Sequence, residues 1–85
     1  MRLYFTERFR HDYHRLPQMI QGQADEKLEL FLKDERHPSL RVKKMEGTDG
    51  IWELRVNQNH RMTFKRDKDI CLLRRIGTHN ILRRP

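Results

Sequence analysis

Cysteine, serine and tryptophan occur once each, as Cys71, Ser39 and Trp52. One cysteine excludes an internal disulfide and any zinc site built on cysteines, and its simplest setting is a reducing cytoplasm. Ser39 has no base near it in sequence, so a nucleophilic triad is unsupported. His11 and His14 lie three apart, but no third ligand is placed to make a metal site of them. No stretch approaches the roughly 20 apolar residues that span a bilayer, and the N-terminal residues lack a signal peptide's apolar run. Repeats, linkers and low-complexity segments are absent. The expectation is a single domain over residues 1–85, too short for a dinucleotide-binding fold and needing no cofactor. Such a chain buries roughly 60–65% of the surface exposed by its unfolded form.

Charge is abundant. Hydrophobic residues make up 35% and charged residues 36%, and mean hydropathy is −1.01. The apolar residues are periodic, which argues against wholesale disorder. Lys and Arg number 19 against 12 Asp and Glu, a net charge of +7. Residues 1–40 carry 7 basic and 7 acidic side chains, whereas residues 41–85 carry 12 and 5. The whole surplus therefore lies in the second half, which is the electrostatic footprint of a polyanion-binding surface, nucleic acid above all.

Periodicity sets the elements. Arg2 to Phe5 reads as a strand. Thr6 can cap a helix carrying Phe9, Tyr13 and Leu16 on one face, with Glu7 in its first turn. Pro17 breaks that helix and suits the first turn of the next. There Ile20, Ala24, Leu28, Phe31 and Leu32 form an apolar stripe. His37-Pro38 closes the helical hairpin. The period then changes. Leu40, Val42 and Met45 suggest a strand. Trp52, Leu54 and Val56 alternate with Glu53, Arg55 and Asn57, and Met62 and Phe64 with Arg61, Thr63 and Lys65. Ile70 to Ile76 forms the last strand, and Gly77 releases the chain. The order β-α-α-β-β-β-β predicts an α+β fold, two N-terminal helices packed on one face of a small, mainly antiparallel sheet.

Alternation also orients the candidates. If Trp52, Leu54, Val56, Met62 and Phe64 face the helices, Arg55 and Arg61 face away, close enough across neighbouring strands to repel unless an anion sits between them. Arginine suits phosphate, because its planar fork donates paired hydrogen bonds. Lys43, Lys44, Arg74, Arg75, Arg83 and Arg84 are placed to rim the same surface as RNA-binding residues. His79, after the last strand, and His60, before Arg61, are the candidates to move a proton, since histidine is the residue type suited to that at cellular pH. Cys71 reads as a buried small hydrophobe, and Trp52 as a core anchor.

The second half resembles the RelE/ParE superfamily of toxins from type II toxin–antitoxin modules. The matching run is His37-Pro38-Ser39-Leu40-Arg41-Val42-Lys43-Lys44-Met45-Glu46-Gly47, then Gly50-Ile51-Trp52-Glu53-Leu54-Arg55-Val56. It continues through His60-Arg61-Met62-Thr63-Phe64 to Arg75-Ile76-Gly77-Thr78-His79-Asn80-Ile81-Leu82. The helical first half, with Leu16-Pro17, is similar as well, and the ending looks closest to the YafQ-like branch of mRNA interferases.

The resemblance implies a ribosome-dependent endoribonuclease that cuts mRNA in the A site without a metal. The ribose 2′-OH attacks the adjacent phosphorus, leaving a 2′,3′-cyclic phosphate and a 5′-OH. By position His79 matches that branch's catalytic histidine and would be the proton donor. Arg61 matches an arginine that steadies the phosphate. Arg55 stands where the branch has another histidine, and can bind phosphate but is a poor base. Lys43 and Lys44 match basic residues that position RNA or assist the base. Asn59 and His60 replace an aspartate and a tryptophan, and no late aromatic follows His79, so the base is not identified by the resemblance. The implied partners are a cognate antitoxin protein, the ribosome and mRNA, with no membrane. Two other readings stay open: a ParE-like inhibitor of DNA gyrase, and a non-catalytic module that binds RNA or ribosomes.

Overall fold

A computed structural model describes residues 1–85. Its strands are β1 (Arg2–Phe5), β2 (Lys43–Lys44), β3 (Trp52–Arg55), β4 (His60–Asp67) and β5 (Ile70–Thr78), and its helices α1 (Glu7–His14) and α2 (Gln18–Lys33). Short 3-10 turns at Pro38–Leu40 and His79–Arg83 follow α2 and β5. The five strands form one sheet in the order β1-β5-β4-β3-β2. β2 to β5 pair antiparallel, and β1 joins β5 in parallel. The expected α+β order is observed.

Local chemistry sets the helix ends. The Thr6 hydroxyl accepts the Phe9 N–H at 3.0 Å, an N-cap. The same hydroxyl donates to the Arg74 carbonyl at 2.9 Å, tying the start of α1 to β5. α1 ends at His14, so Leu16 lies beyond the helix and packs on the core from the connection. Pro17 is the N-cap of α2 rather than part of its first turn. In α2, Ala24 and Phe31 are buried, while Leu32 is half exposed, outside the buried stripe.

Two strand expectations change. The expected strand from Leu40 to Met45 shrinks to Lys43–Lys44, because Leu40 ends the 3-10 turn and Arg41 takes a left-handed backbone, φ 46° and ψ 46°. The last strand also continues through Gly77 to Thr78. Gly77 does not release the chain. An added Cβ there would meet Ile81 Cγ2 at 2.8 Å, so its bare Cα lets the His79–Arg83 turn fold back on β5.

The core lies between the helices and one sheet face. Leu54, Met62, Phe64, Cys71, Leu73 and Ile76 meet Phe9, Ala24 and Phe31 there. Phe31 and Phe64 lie 5.2 Å apart between ring centroids, and Trp52 stacks on Phe64 at 6.3 Å. A bulge makes this face possible. Thr63 pairs with Arg75 but Phe64 with Leu73, so Arg74 is an extra residue in β5. The extra residue shifts the phase and lets both Leu73 and Ile76 point into the core. No helix is long and apolar enough to cross a membrane.

Candidate functional site

The sheet face away from the helices carries the charge. Leu54 pairs with Met62 on the core side, so Arg55 and Arg61, the next directly opposed pair, share the outer face. β2 pairs Lys43 with Glu53. Arg41, in the turn just before β2, lies near enough for its charge to act on Arg55. On the other side Arg61 pairs with Gly77, and His79 lies two residues further, about 6–7 Å along the chain. Arg41, Arg55 and Arg61 thus form a row, with His79 just past its end. His79 is exposed.

None of these arginines pairs with a carboxylate. Arg55 is pulled below the ordinary guanidinium value, first by partial desolvation, then by the charges of Arg41 and Arg61. The β3–β4 turn holds the pair in place. Arg61 Nη1 donates to the carbonyls of Asn57 at 2.7 Å, His60 at 2.9 Å and Gln58 at 3.3 Å. Arg55 Nε donates to the same Asn57 carbonyl at 3.3 Å. The remaining guanidinium N–H groups of both residues make no hydrogen bond within the chain. Three positive charges with free donors have the chemistry that a phosphate group accepts.

The other candidates are not all gathered here. Lys43 shares the outer face and approaches buried Glu53 at 3.8 Å. Lys44, paired with Trp52, alternates to the opposite side. His60 pairs with Thr78, one residue out of phase with Arg61, which sets it toward the helix side. Its Nδ1 lies 3.1 Å from Asn57 Oδ1. Arg75 is committed to the fold, donating to both oxygens of Asp12 at 2.7 and 3.3 Å. Arg74 and Arg84 line an open cleft of about 250 Å³ with Thr6, Arg8, Arg75 and Pro85. Arg74 Nε and the Thr63 hydroxyl both donate to the Pro85 main-chain oxygen, so the last residues lie along the outer face. Arg83 is exposed on the final turn.

Sequence reasoning missed Arg41 and Asn57. Arg41 lies outside any strand, so alternation gave no signal for its place near Arg55. Ser39 also needs correction, because a base does lie near it. His37 Nδ1 is 2.9 Å from Ser39 Oγ, and Lys27 Nζ donates to that oxygen at 3.2 Å. The His37 ring serves here as the cap of the Pro38–Leu40 turn, accepting the Ser39 N–H.

The fold and much of the sequence have known counterparts. The ParE-like toxin domain family matches residues 18–81, and the chain belongs to that family. No curated protein sequence matches it. Among solved structures, the fold is similar to that of a chain in the RelB–RelE antitoxin–toxin complex from Methanococcus jannaschii. The TM-score is 0.76 at 18% identity, covering 94% of each chain. YafQ from E. coli strain BL21(DE3) is similar at TM-score 0.76 and 14% identity, over 95% of this chain and 96% of that one. The YoeB/ParE toxin from Agrobacterium tumefaciens is similar at TM-score 0.75 and 15% identity, over 93% and 99%.

Proposed function

We propose that this protein is the toxin of a toxin–antitoxin pair and acts as a ribosome-dependent endoribonuclease on mRNA in the A site. The observation that carries the reading is the row of Arg41, Arg55 and Arg61, unpaired with any carboxylate, ending beside His79. A phosphodiester laid on this row has its non-bridging oxygens facing guanidinium donors. Those donors stabilise the extra negative charge of the phosphorane. The 2′-oxygen forms a bond to phosphorus as its proton leaves to a base, and the bond from phosphorus to the 5′-oxygen breaks. The His79 imidazolium gives its proton to that 5′-oxygen, leaving a 2′,3′-cyclic phosphate and a 5′-OH. Lys43, on the same face, would position the RNA or assist the base. The guanidinium groups supply the positive charge, so the proposed route is metal-free.

An antitoxin is the natural protein partner. The Methanococcus jannaschii RelE structure is a complex with RelB, and the +7 charge of this chain favours an acidic covering segment. The test is in vitro translation of a defined mRNA with wild type beside His79→Ala, the new 5′ ends being mapped by primer extension. Wild type should cut at codon-phased positions only when ribosomes are present, and His79→Ala should cut at least about 100-fold more slowly. No cleavage by wild type at concentrations that bind ribosomes would overturn the reading.

The ParE-like name of the matching family favours a second reading, a toxin that binds DNA gyrase and cleaves no RNA. Pulse labelling after induction separates the two, since translation stops first under one and DNA replication under the other.

A further inference from the structure

We propose that Asn57 is the positioning residue of the arginine pair, the one residue that joins Arg55 and Arg61 to each other and to the helical layer. The proposal rests on the phosphate-binding reading of that pair.

Asn57 makes contacts in three directions. Its main-chain carbonyl accepts from Arg61 Nη1 at 2.7 Å and Arg55 Nε at 3.3 Å. Its side-chain Oδ1 accepts the N–H groups of Asn59 at 2.8 Å and His60 at 2.9 Å. That is an Asx-type turn, in which a side chain stands in for the backbone and sets the loop's shape. Its Nδ2 donates to Gln23 Oε1 at 2.7 Å, from a turn of the sheet to α2.

The two guanidinium groups lie opposite each other and repel. One carbonyl shared between them offsets part of that repulsion and fixes where both forks point. The carbonyl is held because the side chain of the same residue closes the turn and anchors it to α2. Arg61 spends a single nitrogen, Nη1, on three turn carbonyls. Nε and Nη2, a parallel pair of donors along one edge of the fork, are left for a phosphate. A turn that relaxes would turn this edge away. A misplacement of about 1 Å at a reacting group costs on the order of 100-fold in rate.

Asparagine suits the position. Its amide accepts two main-chain N–H groups and donates to Gln23, and it adds no negative charge beside the arginines. Serine keeps the turn-closing acceptor more weakly, alanine keeps neither function, and Gln23→Leu removes only the tie to α2.

The experiment has two arms on the full chain. The first measures kcat and KM for ribosomal mRNA cleavage in wild type, Asn57→Ala, Asn57→Ser, Gln23→Leu, Arg61→Ala and the Asn57→Ala/Arg61→Ala double variant. We expect Asn57→Ala to lower kcat at least tenfold with KM within about threefold, and Asn57→Ser to recover at least half of that loss on a logarithmic scale. The double variant should fall no more than about twofold below Arg61→Ala, because the two act as a unit. A loss that simply adds to that of Arg61→Ala, or one that serine does not recover, would overturn the proposal.

The second arm does not depend on cleavage. Inorganic phosphate is titrated while the arginine Nε–H signals of Arg55 and Arg61 are followed by NMR. Phosphate should shift both signals in wild type and bind at least tenfold more weakly in Asn57→Ala. Equal affinity in the two proteins would overturn the positioning role. If wild type cleaves no RNA, the nuclease reading fails by itself and the titration still decides for Asn57. Should Asn57→Ala not fold, Asn57→Ser and Gln23→Leu, which keep the turn or its main chain, give the same comparison at smaller amplitude.

Discussion

Arg55 and Arg61 are ordinary surface arginines until their partners are counted. Each faces a like charge directly across the strands and no carboxylate. Removing either should therefore weaken single-stranded RNA binding and lower the slope of log affinity against log salt by about 0.7, one phosphate contact's share. Fluorescence titrations at several salt concentrations check this, and an unchanged slope would mean the residue contacts no phosphate. Cys71 illustrates the opposite environment. It is fully buried, and desolvation raises its thiol to about 11, with Glu35 adding a little and Arg66 opposing. The folded thiol keeps its proton where an unfolded one, near 9.0, loses it. Its contribution is fully present below pH 9 and is lost as pH rises toward 11, by about 2–3 kcal/mol for a shift of roughly two units. The melting temperature should fall less between pH 9 and 11 in Cys71→Ala than in wild type. At pH 8 the native thiol should resist alkylation until the chain is unfolded.

Among the elements, β5 does most of the placing. It receives β1 on one edge only as far as Leu73. Beyond that point α1 takes over, and Asp12 accepts the unpaired Ile76 N–H at 3.3 Å together with the Arg75 guanidinium. Asp12→Ala strands both groups in a site where the two side chains are only 10% and 16% exposed. We expect a loss of about 2–4 kcal/mol in denaturant unfolding. Asp12→Asn, which still accepts a hydrogen bond, should lose less. Gly77 controls the other end of β5. Gly77→Ala pushes against Ile81 Cγ2, which is buried in the closing turn. It should cost about 1–3 kcal/mol and displace His79 with that turn. Cleavage in Gly77→Ala should then fall at temperatures well below its melting point. A variant that melts lower yet cleaves at the wild-type rate would show that His79 does not depend on the turn.

For the molecule as a whole, charge is sorted between layers. The 1–40 half, which supplies both helices, is neutral, and the basic half supplies four of the five strands. The outer sheet face is thereby left positive, with the C-terminal residues covering part of it. Binding to ribosomes should weaken steeply with salt, and an acidic partner should compete for the same face. Adding an excess of a short polyanion, such as heparin, should block both RNA binding and cleavage. Persistence of cleavage under those conditions would place the functional surface elsewhere.

The class of fold and the outward direction of Arg55 and Arg61 were determined by the sequence itself. Both follow from periodicity, which depends only on neighbours along the chain. Alternation of Leu54 with Arg55 and of Met62 with Arg61 assigns the two faces before any contact is known. The charge asymmetry between halves is equally local. The same alternation already set His60 out of phase with Arg61, so its place on the helix side was legible too. Only the tertiary structure decided which charges stand together. Arg75 reads in sequence as one more RNA-binding residue, yet it meets Asp12 from 63 residues away, across the edge of β5 that β1 leaves free for α1. Arg41 joined the site from the turn before β2, and Lys44 left it because a two-residue strand turns it to the other face. Asn57 emerged as the tie between two arginines and α2 because a turn's hydrogen bonds depend on what the fold brings beside it. Periodicity gives each side chain a direction, while register, bulges and layer packing decide what it finds there.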